Sequence, residues 1–164
     1  MNVSNPKEPP DAAHTHPWKL SDVVMFPALG LSILAEWLWP TELSTLPLWV
    51  RGPVAVIAIS GGQALIVAAK RTLDQARQPS LPGHPTTELV TGGPYRWSRN
   101  PNYLGAILMA LGLVALANSV WFLGISFLAA LVLDVWMIRP EERYLDRHFG
   151  AESTAYRARV RRWI

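Results

Sequence analysis

Two apolar runs, Tyr103–Ala117 and Val120–Ile138, are separated by nothing but Asn118–Ser119. Two residues can join antiparallel helices but cannot carry a chain across anything. The runs therefore read as a tight helical hairpin with an uncharged turn. Two more apolar runs precede it. Val23–Trp39 has Pro27 in its opening turn and Pro40 closing it, and Val50–Ala69 is uncharged after Arg51 and stops at Lys70–Arg71. A membrane span needs about 20 apolar residues. The second and fourth runs meet this, and the third does so if its helix begins at Pro101, a favoured first helical position. The expectation is an all-α, polytopic membrane protein. It has four transmembrane helices, near 23–39, 50–69, 101–117 and 120–138, and a short C-terminal helical segment.

Charge placement sets the orientation. Two of the 15 Lys and Arg precede residue 20, five lie between Lys70 and Arg99, and seven lie from Arg139 onward; Arg51 stands alone. By the positive-inside rule, loop 70–100 and the C-terminal segment 139–164 are cytoplasmic. With four spans, the N-terminus is cytoplasmic too. This segmental bias differs from the interleaved basic surface of a nucleic-acid binder, and no nucleic-acid partner is expected. Half of the chain is apolar, only 16% is charged, and 8 Trp would serve two interfacial belts. Without cysteine there is no thiolate metal site or cysteine nucleophile.

Residues 1–20 are polar and proline-rich and read as a disordered tail rather than a signal peptide, leaving 21–164 as the membrane domain. His14 and His16 belong to that solvated tail, and no metal site is expected. Glu36 and Asp134 interrupt apolar runs near helix ends, where snorkelling among Trp37, Trp39 and Trp136 competes with a substrate-facing role. Gly61–Gly62 permits close helix packing. Gly150 reads as a C-cap after Glu141–Phe149. Thr154–Trp163 reads as a short basic helix whose four arginines suit anionic headgroups.

Two clusters could carry chemistry. The first runs from Gly92-Gly93-Pro94-Tyr95 through Arg99-Asn100-Pro101-Asn102-Tyr103-Leu104-Gly105 into a helix N-terminus, which favours an anion. Tyr95 and Tyr103 offer flat faces and hydroxyls. An ordinary juxtamembrane loop would have much the same composition. The second, Arg139-Pro140-Glu141-Glu142, offers carboxylates for an ammonium or ribose, unless Arg143 or Arg147 takes them. Both clusters emerge at the open end of one hairpin, within reach of each other.

These segments, with Arg143-Tyr144-Leu145, Phe149-Gly150 and Tyr156…Val160-Arg161-Arg162-Trp163, resemble the isoprenylcysteine carboxyl methyltransferase family, which belongs with the phospholipid methyltransferases. That family's pattern is Arg-His-Pro-x-Tyr-x-Gly, then Glu-Glu-x-x-Leu and Phe-Gly-x-x-Tyr-x-x-Tyr, matched over about residues 88–164. The resemblance implies an S-adenosylmethionine-dependent integral membrane methyltransferase acting on a lipophilic acceptor that enters from the bilayer. Tyr95, Arg99, Asn100, Pro101, Tyr103, Leu104 and Gly105 would line the cofactor pocket, with Glu141 and Glu142 near its polar groups. Asn100 replaces the family's usual His, and Ser153 replaces the first Tyr of the last motif. The implied location is a bacterial inner membrane.

Arg139 would hold a carboxylate acceptor beside the methyl group. Two rivals share parts of the pattern. One is an NADPH-dependent sterol-type reductase, suggested by Asn102 in a related Arg-x-Pro-Asn-Tyr segment; the other is a non-catalytic membrane scaffold of the same fold.

Overall fold

The computed structural model describes residues 21–78 and 86–164. The tail and Pro79, Pro82 and Pro85 lie outside them. Helices α1 (Ser21–Leu38), α2 (Leu48–Gln75), α3 (Pro101–Ala117), α4 (Val120–Leu133) and α5 (Arg139–Arg159) make up the chain, with a 3₁₀ turn at Gly93–Arg96 and a π-helical turn at Asp134–Ile138. No strand occurs among the described residues.

The hairpin turn forms because each of its two residues has a separate capping role. Asn118 ends α3 in the left-handed conformation (φ 53°, ψ 41°), its N–H donating to the Val114 carbonyl at 2.9 Å. Ser119 starts α4, its Oγ accepting from the Trp121 and Phe122 amides at 3.1 and 3.4 Å. Pro101 opens α3 as expected, and both ends of that helix fall at the expected residues.

Helix α2 lies against α3, and α1 against α4. The α2–α3 seam is narrow because it is built on glycine. A Cβ on Gly62 would fall 2.5 Å from the Gly105 carbonyl oxygen and 2.8 Å from Met109 Cγ. One on Gly112 would fall 2.9 Å from the Ala55 carbonyl. Gly61, by contrast, has nothing within 4 Å. The outward faces carry large apolar side chains left uncovered by protein, among them Phe26 (69% exposed), Ile57 (71%) and Phe127 (62%). A solvated monomer does not present such a surface; a lipid-facing one does. Two helical stretches, Leu48–Gln75 and Val120–Arg159, are long and apolar enough to cross a membrane, while Pro101–Ala117 is shorter.

Three boundaries differ from expectation. Helix α1 starts at Ser21, so Pro27 sits nearly two turns inside it. Helix α2 runs past Lys70–Arg71 to Gln75; at 28 residues it spans about 42 Å and projects beyond a hydrocarbon core of about 30 Å. The apolar part of the helix ends at those charges, and the helix itself continues past them. The fourth span is α-helical only to Leu133 before it widens into the π turn.

Gly150 does not terminate its helix. At φ +48° and ψ −112°, a conformation that favours glycine, it bends α5, which resumes and ends at Arg159. Thr154 bridges the bend, its Oγ1 donating to the Gly150 carbonyl at 3.0 Å. Residues 160–164 leave the helix because Val160 is extended and Arg161 and Arg162 bond to the loop before α3.

Candidate active site

The loop before α3 is fastened on two sides. The 3₁₀ turn rests on α2 at Gly93, whose φ of +54° and closeness to Thr72 (2.5 Å from a built Cβ to Oγ1) leave room for no side chain. On the other side, the C-terminal segment runs along residues 98–99. The Arg99 amide donates to the Arg161 carbonyl at 3.0 Å, and Ser98 Oγ donates to the Arg162 carbonyl at 3.0 Å. The Tyr156 hydroxyl donates to the Tyr95 carbonyl at 2.7 Å. Beneath this clasp, Tyr156, Val160 and Leu89 form a small apolar core with Leu145 and Phe149 packed on it. The loop before α3 and the C-terminal segment are thus tied into one body.

The clasp brings the two clusters together. Glu142 is 8% exposed, and Arg162 grips it as a fork: Nε to Oε1 at 3.1 Å and Nη2 to Oε2 at 2.6 Å. Asn100 Nδ2 donates to the same Oε1 at 3.4 Å, and Arg99 Nη1 forms an ion pair with it at 3.4 Å. Arg162 Nη1 also reaches Asp134 Oδ1 at 3.1 Å, and Asp134 Oδ2 accepts from Arg139 Nε at 2.7 Å. Charges therefore alternate along a chain Arg139–Asp134–Arg162–Glu142–Arg99. Asp134 is explained by these two arginines.

Glu141 lies outside the chain, and among the described residues its carboxyl accepts from the Tyr103 hydroxyl at 3.3 Å. Burial, and secondarily the neighbouring Glu142 charge, push it up to about 7 against the bond from Tyr103. Burial likewise raises the Tyr95 hydroxyl above its usual range, and takes Tyr156 up to about 12. Burial lowers Arg99 from its ordinary value, with Glu142 opposing, while the hydrogen bond to Glu142 raises Arg162.

Several polar groups remain open. Arg99 Nε and Asn102 Oδ1 are buried without a hydrogen-bond partner, and Arg99 Nη1 has only its ion pair with Glu142. Helix α3 has no side-chain cap: Asn100 stands at the N-cap but its side chain bonds to Glu142, with no bond to the first-turn amides. Unmet donors at a helix N-terminus suit an anion, and the Glu141 carboxyl beside them suits a cation or hydroxyls.

Not every expected residue faces these groups. Tyr95, Arg99, Asn100, Tyr103, Glu141 and Glu142 converge, with Pro101 buried at the helix start. Leu104 donates its amide to the Asn100 carbonyl at 3.0 Å, and Gly105 turns to α2, where Gly62 and Ile66 crowd it. Arg139 has a side chain 54% exposed and meets Asp134 rather than the Glu pair. Ser153, buried, donates to Asp146 Oδ1 at 2.7 Å, and Asp146 also pairs with Arg157, so the serine holds the bend of α5. Sequence reasoning assigned Arg162 to headgroups and left Tyr156 out of the site. Their place in a motif that recurs with the Glu pair was the available signal.

The chain is similar to several known proteins. The sequence profile described as "Phospholipid methyltransferase" matches residues 50–152. The nickel-cobalt-cadmium resistance protein NccN of Alcaligenes xylosoxydans xylosoxydans is 36% identical over 69 residues, 42% of this chain and 32% of that protein. The protein-S-isoprenylcysteine O-methyltransferase of Saccharomyces cerevisiae is 36% identical over 77 residues, 44% of this chain and 30% of the enzyme. An uncharacterised protein of Haemophilus influenzae is 38% identical over 63 residues, 38% of this chain and 98% of that protein. The matched stretch thus spans about a third of the first two relatives. No solved structure matches. The profile runs from α2 through the hairpin and both clusters, over well more than half of the sequence, and the chain belongs to the phospholipid methyltransferase family.

Proposed function

We propose that this chain is an integral membrane methyltransferase that uses S-adenosylmethionine to methylate a lipophilic acceptor entering from the bilayer. The observation that carries this reading is the juxtaposition of the unmet Arg99 Nε and the uncapped start of α3 with the Glu141 carboxyl. S-adenosylmethionine joins a carboxylate, an ammonium and ribose hydroxyls in one small molecule, and this donor and acceptor set fits it. In the same reading α1, α2, α3 and α4 with the π turn after it all cross the membrane. Both termini face the cytoplasm of a bacterial inner membrane, and residues 21–164 form the catalytic domain.

When bound, the cofactor supplies an electrophilic methyl group on sulfur. The chain's work is then positioning and exclusion of water. Arg99 and the first-turn amides of α3 hold the carboxylate, Glu141 accepts from the ammonium or ribose, and Tyr95 and Tyr103 flank the base. Glu142 positions Arg99 and Asn100. Asn100 needs only to donate a hydrogen bond here, so the usual histidine's proton is dispensable. Arg139, half-exposed at the end of the π turn, holds an anionic acceptor. Arg139→Ala is expected to lower labelled-methyl transfer into a lipid extract about tenfold while leaving cofactor affinity unchanged. Equal turnover in both proteins would remove Arg139 from the mechanism.

Glu141 makes affinity depend on pH. Its folded value of about 7 lies above its ordinary 4.5, so the free site holds the proton across that window. A cationic ligand binds the ionised form, so affinity rises with pH through about 7. Between pH 5.5 and 7.5 the ionised fraction, and with it the affinity, is expected to rise about 25-fold. Glu141→Gln should flatten the profile, and a steep profile retained in that variant would assign the titration elsewhere.

A further inference from the structure

At the opposite end of the bundle, α1 ends, α2 begins and the α3–α4 turn sits, enclosing an open polar hollow of about 360 Å³. Glu36, Pro40, Thr41, Glu42, Arg51, Ala117 and Asn118 line it. This volume lies within the range of small-ligand sites. Trp37 (76% exposed), Trp39 (64%) and Trp49 (78%) stand around the same helix ends, and the Trp121 indole donates to the Trp39 carbonyl at 2.9 Å. Such a belt marks the headgroup level of a bilayer. The hollow therefore opens where lipid headgroups lie, on the face away from Glu141 and Arg99.

The charges in the hollow are of two kinds. Glu36 is spoken for: it accepts from the Thr41 amide at 2.8 Å, from Thr41 Oγ1 at 3.0 Å and from Ser119 Oγ. Arg51 is the one cation of the sequence outside the three basic groups. It stands in the first turn of α2, where the helix dipole disfavours a cation and favours an anion. Its Nη1 is anchored by the Ala115 and Leu116 carbonyls at 3.1 and 2.6 Å, but its Nε is buried and unpartnered. The N-cap of α2, Pro47, contributes no side-chain bond. An anion is thus called for at Arg51. Glu42, exposed on the facing loop, calls for a cation on the same ligand.

We propose that this hollow seats a phosphate-plus-ammonium zwitterion, with the phosphate on Arg51 and the ammonium on Glu42. Two sources carry that chemistry: the headgroup of a zwitterionic phospholipid and free phosphoethanolamine. The test is native mass spectrometry of the full chain in detergent doped with equimolar phosphatidylethanolamine and phosphatidylglycerol of matched acyl chains. The protein is expected to retain the first at least fivefold over the second, and Glu42→Gln should bring the ratio near one. A lipid held at the candidate active site would not respond to Glu42→Gln, which separates this site from that one. Arg51→Ala also removes the anchor at the end of α3, so the Glu42 variant decides the matter if the former does not fold. Titrated phosphoethanolamine that displaces the lipid, or binds Glu42-dependently where no lipid is retained, assigns the seat to the headgroup chemistry alone. Failure to displace assigns it to the whole lipid. Equal retention of both lipids with no Glu42-dependent binding of phosphoethanolamine would overturn the proposal, as would a preference unchanged in Glu42→Gln.

Discussion

Replacing Glu142 with leucine is expected to destabilise the protein by about 3 kcal/mol and to release the C-terminal segment from the loop before α3. The side chain is 10% exposed and is the shared acceptor for Arg162, Arg99 and Asn100. Removing one partner of a buried pair costs roughly 3–5 kcal/mol, because the remaining charge stays in a poor solvent. Here two guanidiniums would be stranded, but Arg162 is 30% exposed and keeps Asp134 at 3.1 Å, which places the effect at the lower end. Thermal unfolding in detergent reads the loss, and limited proteolysis near Arg161 reads the release. Arg139→Ala breaks an ion pair whose cation is 54% exposed, and should cost no more than about 1 kcal/mol. Equal stability losses in the two variants would show that the Glu142 cluster does not tie the C-terminal segment down.

The second large effect lies in the α2–α3 seam. Gly62→Ala places a methyl group 2.5 Å from a backbone carbonyl of α3, and a backbone cannot step aside as a side chain can. Overpacking typically costs 1–3 kcal/mol, and contact with main chain puts this case at about 3. Gly61→Ala, one residue away with open space around it, should instead gain up to about 1 kcal/mol from helix propensity. The pair tests the register of the seam directly: similar shifts of either sign would contradict it. Because α3 carries Tyr103 two residues before Gly105, Gly62→Ala should also weaken cofactor binding, while Gly61→Ala should not.

What could be read in the chain was what local chemistry decides. The bounds of α3 follow from Pro101 at its first position and Asn118 in the left-handed conformation, both visible in sequence. The end of α2 was not visible, because Lys70–Arg71 marks a change from apolar to polar residues and a helix does not stop at one. The bend at Gly150 looked like a cap because the same glycine serves both, and only the Thr154 and Ser153 bonds beyond it decide which. The convergence of Arg99 and Asn100 with the Glu pair followed from the hairpin alone. The Arg162–Glu142 fork did not, since it joins residues 20 apart across a bend and an extended segment. Nothing in local sequence ranks Arg162 above Arg139, Arg143 or Arg147 as that partner. The π turn at Asp134–Ile138 was also unreadable, although it sets the facing of Arg139 and the Glu pair.

Isothermal titration of the purified chain in detergent with S-adenosylmethionine tests the central claim most directly. A single saturable site is expected, weakened in Arg99→Ala and Glu141→Gln, with no heat from NADPH. Heat from NADPH alone, or from neither ligand in a protein shown to be folded, would contradict it.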